Sequence, residues 1–329
     1  MASHKVVGSA NNSLVSAIHI PVLGSEVVTA LAVRPGSSYI DCTVGEGGHT
    51  AMLLAATKPA PRVLGIDLDE MALGKARASL ADFADAVKFA HGSYVDMKPL
   101  ALEAGMDGAD GILLDLGLSS LQLETGERGF SFRAEARLDM RFDRSQAQTA
   151  WNVVNRGQER TLADLIYRLG EEPKSRKIAS AIVKARPIET TTELAEVVAR
   201  ATGGKRGRIH PATRTFQAIR MAVNEELQNI EAGLRGAAET LKPGGRLAVI
   251  SYHSLEDRLV KGFMGRESRD CICPPEVLRC ECEHEASLRR VNKKVIKPTR
   301  REIEANPRAR SARLRVAERI GTLAGTLHE

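Results

Sequence analysis

Residues 38–69 constrain the fold more than any other stretch of the chain. An apolar run at 38–42 (SYIDC) breaks into a cluster of glycines, Gly45, Gly47 and Gly48, a helix-forming segment follows at 50–56, and a second apolar run, RVLGIDLD at 62–69, carries Asp67 near its end. Strand, glycine turn, helix and strand in that order make a βαβ unit, whose two strands must run parallel. The pattern continues with a helix at 70–83 that carries Met71, Leu73, Ala76 and Leu80 on one side, and with strands at 86–90 and 109–116. Strands alternating with helices predict a doubly wound parallel sheet, preceded by a short helix at 26–32.

After Gly117 the alternation stops, and helices are predicted at 161–169, 175–185, 192–201 and 212–223 with no strand between them. That stretch reads as an insertion. The sheet pattern returns with a helix at 225–241, a Lys-Pro-Gly-Gly turn at 242–245 and a strand at 246–252. The segments 291–297 and 311–317 alternate apolar and basic residues, as a half-exposed antiparallel pair would. With 329 residues, 43% of them hydrophobic and 27% charged, the chain can bury a core of this size, which excludes the disordered and fibrous classes. No apolar run approaches the roughly 18–20 residues of a membrane span, and the first ten residues lack the features of a secretory signal. Four of the five cysteines crowd into 271–282, unlike a dispersed disulfide framework, so a cytoplasmic location with no membrane partner is expected.

Charge is placed unevenly. Residues 286–319 hold twelve Lys/Arg against three Asp/Glu, and residues 200–223 hold six Lys/Arg and no acid, while the whole chain carries only +6. Two basic segments on an acidic body predict a polyanionic partner rather than a generally adhesive surface. In the first segment, which also holds His210, the arginines Arg206, Arg208, Arg214 and Arg220 are the candidates for phosphate, and in the second Arg308 and Arg310. Phe216, Ile219 and Val223 follow helical spacing and read as core.

The glycine turn lets backbone approach a ligand at a helix N-terminus, and Asp67, 22 residues after Gly45, can take the two hydroxyls of an adenosine ribose. A nicotinamide enzyme would carry a glycine at the sixth position of the motif, where this chain has Thr50, and Asp41 suits an ammonium group better than a pyrophosphate. The adenosyl ligand is therefore expected to be S-adenosylmethionine. In doubly wound sheets the ligand crevice lies beyond the carboxyl ends of the strands, which puts Asp115, Ser119, Ser120 and Gln122 where a methyl acceptor meets the cofactor. A DNA amino-methyltransferase would show a Pro-Pro-aromatic tetrapeptide there, and DLGL at 115–118 is not one.

These strings together resemble the RsmH (MraW) family of 16S rRNA cytosine-N4 methyltransferases. The resemblance rests on His19-Ile-Pro-Val22, DCTVGEGGHT (41–50), GIDLDEMAL (65–73), DLGLSSLQL (115–123), RGFSF (128–132), LDMRFD (138–143), TFQAIRMAVNEEL (215–227), SYHSLEDRLVK (251–261) and NPRARSARLRVAER (306–319), and covers nearly the whole chain. It implies a class I, Rossmann-like fold, α/β with a seven-stranded doubly wound sheet. Residues 1–124 and 223–329 would form a discontinuous S-adenosylmethionine-binding domain, and 125–222 an inserted all-helical domain for substrate recognition. The implied partner is 16S rRNA or the small ribosomal subunit, and the implied reaction is methylation of the exocyclic N4 of a cytidine in the decoding region. Matched by position, cofactor contacts fall on Gly47, Gly48, His49, Asp67, Tyr94, Asp115 and Gln122. Tyr94 stands where the family usually has Phe, and Thr50 where it commonly has Ser. Asp115, Ser119 and Ser120 are the candidate acceptors of hydrogen bonds from the target amine, and no metal is expected in the reaction.

Several further groups have two readings. Phe130 and Phe132, with Arg128 and Arg133, can grip a flipped base or simply pack a loop. Ser254 and Asp257 have capping-box spacing, while His253 can touch the target RNA or satisfy itself in its loop. Asn224, Glu225 and Glu226 would return the chain to the site's rim. Cys271, Cys273, Cys280 and Cys282, as C-x-C-x6-C-x-C with His284 close by, can hold zinc or be loop-stabilising thiols. A methyltransferase fold kept as a non-catalytic RNA-binding or assembly protein is the competing class, against which the intact glycine turn, Asp67 and Asp115 all argue.

Overall fold

The computed structural model describes residues 21–119, 126–204, 210–277 and 279–321. Helix α1 (Gly24–Ala30) leads into β1 (Ser38–Asp41), α2 (Gly48–Ala55), β2 (Arg62–Asp67), α3 (Glu70–Ser79), β3 (Val87–His91), α4 (Met97–Glu103) and β4 (Ala109–Asp115). Five helices follow: α5 (Ala150–Arg156), α6 (Glu159–Gly170), α7 (Ser175–Ala185), α8 (Thr191–Thr202) and α9 (Thr213–Val223). The chain then returns through α10 (Glu226–Thr240), β5 (Leu241–Ser251), α11 (Ser254–Arg266), β6 (Leu288–Arg290), α12 (Arg300–Ala305) and β7 (Arg313–Arg319).

The seven strands form one sheet in the order β3-β2-β1-β4-β5-β7-β6, and the pairs from β3 to β5 are parallel. Strand β7 runs antiparallel to both β5 and β6. Because side chains alternate across a strand, Ile40, Ile112, Leu114, Leu247 and Val249 enter the core on one face with α4, α10 and α11. Tyr39, Leu113, Ala248 and Ile250 enter the core on the other face with α1 and α2. A third core, built from Leu118 and residues between Phe130 and Val223, unites α5 to α9, each of which turns an apolar stripe inward, as Leu162, Ala163 and Ile166 do on α6. Among the described residues no helix is long and apolar enough to cross a membrane.

The last predicted strand pair is shifted. The partner of β7 within the sheet's edge is 288–290, not 291–297, where only Ile296 makes an antiparallel bridge, to Leu314. The reason is Asn292, whose side-chain oxygen accepts the Val316 N–H at 2.8 Å and so takes a donor that a continuing strand would need. Helix α5 was not among the predicted helices because its start is a Thr149/Asn152 capping box rather than the more recognisable Thr/Glu form. Strand β5 begins at Leu241, so the predicted turn at 242–245 is an irregularity within the strand, with Gly244 at φ 78°.

Candidate active site

The strand order reverses between β1 and β4, and beyond the carboxyl ends of these strands opens a cleft of about 460 Å³. Gly45, Gly48, His49, Asp67, Tyr94, Asp115 and Ser119 all line it. Ser120, Gln122, Arg206 and Arg208 lie outside the described residues. Gly47 stands behind the lining as the N-cap of α2 at φ 91°, where a Cβ would also press on Leu80.

Asp67 is held by backbone. Its two carboxylate oxygens accept the N–H groups of Gly45 and Asp69, each at 2.9 Å, which ties the glycine turn to the end of β2. Burial pushes its carboxyl up to about 6, against the pull of those two donors. Each oxygen keeps a further lone pair for a ligand hydroxyl. The Tyr94 ring lies against Gly233 of α10, a spot that a Cβ would fill, and so presents a fixed aromatic wall.

Asp115 ends β4 and is positioned from three directions. Its N–H donates to the Thr43 hydroxyl at 2.7 Å, its Oδ1 accepts from the Tyr252 hydroxyl at 2.8 Å, and His49 Nδ1 faces its Oδ2 at 3.6 Å. The other His49 nitrogen, Nε2, lies 2.9 Å from the carbonyl oxygen of Val22; since a carbonyl only accepts, Nε2 carries the proton. Burial raises the Asp115 carboxyl to about 6, opposed by His49 and the Tyr252 hydroxyl. The side chain is still 23% exposed, so a ligand can reach it.

Several sequence-based expectations are corrected here. Asp41 is fully buried and does not line the cleft; it accepts the Thr50 hydroxyl at 2.8 Å and the Thr43 N–H at 3.2 Å, so it braces the glycine turn and does not face a ligand's ammonium group directly. Phe130 is buried in the helical core, and Phe132 packs edge-on against Phe216 and stacks on His210. Arg128 is buried in an ion pair with Asp69 and donates to the carbonyls of Arg141 and Phe142. Phe130 and Arg128 are thus not presented to a base, while Phe132 is half-buried. The phenylalanine that does line the cleft is Phe142, beside the rings of Tyr94 and Tyr252; its N–H donates to Asn224 Oδ1 at 2.7 Å and its ring packs 5.6 Å from that of Phe130.

Arg220 is likewise no phosphate ligand. Its guanidinium makes a two-pronged pair with Glu226 at 2.7 and 2.8 Å, and both side chains are largely buried beside the cleft. Burial opposes the Arg220 charge, and the facing carboxylate more than offsets it, so its pKa lies above the usual value. Arg214 pairs with Glu172 at 3.6 Å. The cap of α11 is His253 with Glu256, one place earlier than Ser254 with Asp257; the Ser254 hydroxyl instead donates to Glu171, and Asp257 binds Arg313 and Arg315. Glu256 also accepts the Tyr252 N–H at 2.7 Å, which fixes the residue whose hydroxyl holds Asp115. Of the basic C-terminal segment, Arg308 reaches the cleft wall.

Phe142, Tyr252 and Glu256 are the residues that sequence reasoning missed. All three lie inside the strings LDMRFD and SYHSLEDRLVK, but nothing in the local pattern ranks Tyr252 above His253 or Phe142 above Phe130.

A sequence profile described as the MraW methylase family matches residues 16–320. Curated relatives include proteins named ribosomal RNA small subunit methyltransferase H. That of Dehalococcoides mccartyi is 50% identical over 302 residues, covering 92% of this chain and 86% of its own. That of Thermomicrobium roseum is 50% identical over 308 residues, covering 93% and 94%. The one from Nitratidesulfovibrio vulgaris is 46% identical over 319 residues, covering 95% and 88%.

Proposed function

This chain belongs to the MraW methylase family, and on that premise we propose that it transfers a methyl group from S-adenosylmethionine to the exocyclic N4 of one cytidine in the decoding region of 16S rRNA. The observation that carries this reading is the cleft at the sheet's reversal, where Asp67 and Asp115, at the ends of two parallel strands, face the same space with Tyr94 and Phe142. The inserted unit at 125–222 would meet the RNA, and 1–124 with 223–329 would hold the cofactor.

The residues present fit the cofactor. Asp67 has free lone pairs beside the glycine turn, and Tyr94 offers a flat wall for an adenine ring. Gly45, Gly48 and His49 supply close backbone at the head of α2. When bound, S-adenosylmethionine supplies a methyl group on a cationic sulfur, reactive enough for a weak nucleophile.

A cytosine amine is such a nucleophile, because its lone pair is delocalised into the ring. The protein must therefore accept hydrogen bonds from the amino group as it pyramidalises, more than it must supply a strong base. Asp115 does this through Oδ2, since Oδ1 is taken by the Tyr252 hydroxyl. With its carboxyl near 6, Asp115 is ionised at neutral pH and can also receive the proton that the amine sheds. Ser119, and Ser120 beyond it, would add acceptors from the loop after β4. Phe142 would lie against the target base, with Asn224 positioning it. Arg308 at the cleft wall and exposed residues of the same segment, Arg310 among them, would meet phosphate.

The direct test is mass spectrometry of nuclease-digested rRNA after incubation of the purified protein with S-adenosylmethionine and small subunits that lack the modification. One methyl on N4 of a single decoding-region cytidine is expected. A methyl on carbon 5 or on the ribose, or no product at all, overturns the assignment.

Asp67→Ala should weaken S-adenosylmethionine binding by about 1.5–3 kcal/mol, on the order of ten- to a hundredfold. In the unaltered protein the affinity should fall as the pH drops through about 6, because a carboxyl raised from 3.8 to about 6 is protonated below that value and loses acceptor capacity. Above it, affinity should be full. Calorimetry across that range, on both proteins, checks the two expectations together.

A further inference from the structure

The cysteine cluster stands apart from the cleft, and none of its four thiols lines it. The segment between α11 and β6 is long and irregular. No described residue between Met264 and Leu288 joins any of the hydrophobic cores, and most of the segment is exposed. Ordering so long a loop costs backbone entropy, which apolar burial does not offset here. Its base is closed by protein contacts. The N–H groups of Ser287 and Leu288 both donate to the Glu267 carbonyl at 2.9 Å, and the Ala286 N–H donates to Asp270. Its tip, 271–282, has the thiols.

All four Sγ atoms of Cys271, Cys273, Cys280 and Cys282 lie within 4.8 Å of one another, and none is in a disulfide. Cys282 Sγ is 3.6 Å from Cys280 Sγ and 3.9 Å from Cys271 Sγ. A zinc–sulfur bond of about 2.3 Å in a tetrahedron gives sulfur–sulfur edges of about 3.8 Å. The edges match. Backbone also points at sulfur across the two halves of the loop, with Ile272 N–H donating to Cys282 Sγ at 3.3 Å and Glu281 N–H to Cys273 Sγ at 3.5 Å. Backbone N–H groups aimed at sulfur in this way are the outer hydrogen bonds that hold the ligands of a metal in place. His284, the other nearby ligand type, instead has its Nε2 3.2 Å from the Arg266 carbonyl.

We propose that Cys271, Cys273, Cys280 and Cys282 bind one Zn2+ as a closed tetrathiolate site that orders the loop between α11 and β6. Four S–Zn bonds form, the thiol protons leave to solvent, and no redox change occurs. With all four positions taken by protein, no place remains for water, so the ion is structural and has no part in methyl transfer. His284 is a brace for the loop and not a ligand.

The test uses the full chain, purified reduced and without chelator from zinc-supplemented medium. Elemental analysis should find about one zinc per chain, and titration with an organic mercurial should release it in step with modification of four thiols. Cys273→Ser and Cys280→Ser should each lower the zinc content severalfold, while His284→Ala should keep it. If the serine variants do not fold, cobalt replacement in the unaltered chain decides: thiolate-to-cobalt charge transfer with intense visible bands of a tetrahedral site supports the proposal. Zinc below about a tenth of an equivalent with four immediately reactive thiols overturns it. So does iron in place of zinc, or two disulfides in the freshly reduced protein.

Discussion

Asp115→Ala should lower methyl transfer by about a thousandfold, the size of effect seen when one preorganised polar group is removed from a developing charge. It is also expected to weaken the cofactor, because Asp115 lies in the same cleft wall as His49 and Gly48. The pattern across neighbours is the sharper part of the expectation. Tyr252→Phe removes the hydroxyl that donates to Asp115 Oδ1 at 2.8 Å and helps hold its carboxyl down, so the acid limb of kcat/KM should move to higher pH while turnover above that limb falls less than in Asp115→Ala. Ser119→Ala should reduce kcat with cofactor affinity almost unchanged, since an acceptor of the pyramidalising amine acts mainly in the transition state. Single-turnover rates with small subunits, set beside calorimetric cofactor affinities, separate these outcomes. A full rate in Asp115→Ala would remove Asp115 from the reaction.

Glu226→Ala should cost about 3–5 kcal/mol of stability, because it leaves the Arg220 guanidinium buried without its partner. Replacing both, as Arg220→Met with Glu226→Leu, should recover most of that loss, since a well-packed apolar pair of similar volume needs no charge compensation. Urea unfolding of the single and double variants gives the comparison. If the single variant is as stable as the parent, solvent or another carboxylate, such as the nearby Glu256, must be satisfying Arg220. The pair joins α9 to the start of α10, so the loss should be felt where the helical unit meets the sheet.

How much was legible in the sequence follows from the reach of each interaction. The alternation of strands and helices, the glycine turn and Asp67 are set by residues within about thirty positions of one another, and the structure has them where their periodicity and turn chemistry put them. The site residues Gly48, His49, Tyr94, Asp115 and Ser119 come together in one cleft because each stands near a strand end or in the loop that follows. Val291 to Lys297 looked like a strand because its pattern alternates, yet one side-chain amide at Asn292 was enough to divert the ladder.

The fates of individual side chains were a different matter. Arg128, Arg220 and the two phenylalanines at 130 and 132 have the composition of a nucleic-acid grip, and only the folded chain brings Asp69, Glu226 and Phe216 against them. The partners of Asp115 show the same limit: Thr43 is 72 residues before it and Tyr252 is 137 after it. The sequence by itself determined the parallel sheet, the position of its ligand crevice and the types of group available there, because these depend on local periodicity and on strand ends. The tertiary structure decided which charges are spent on one another and which phenylalanine faces the cleft. Those outcomes depend on desolvation and on partners that only the finished packing supplies.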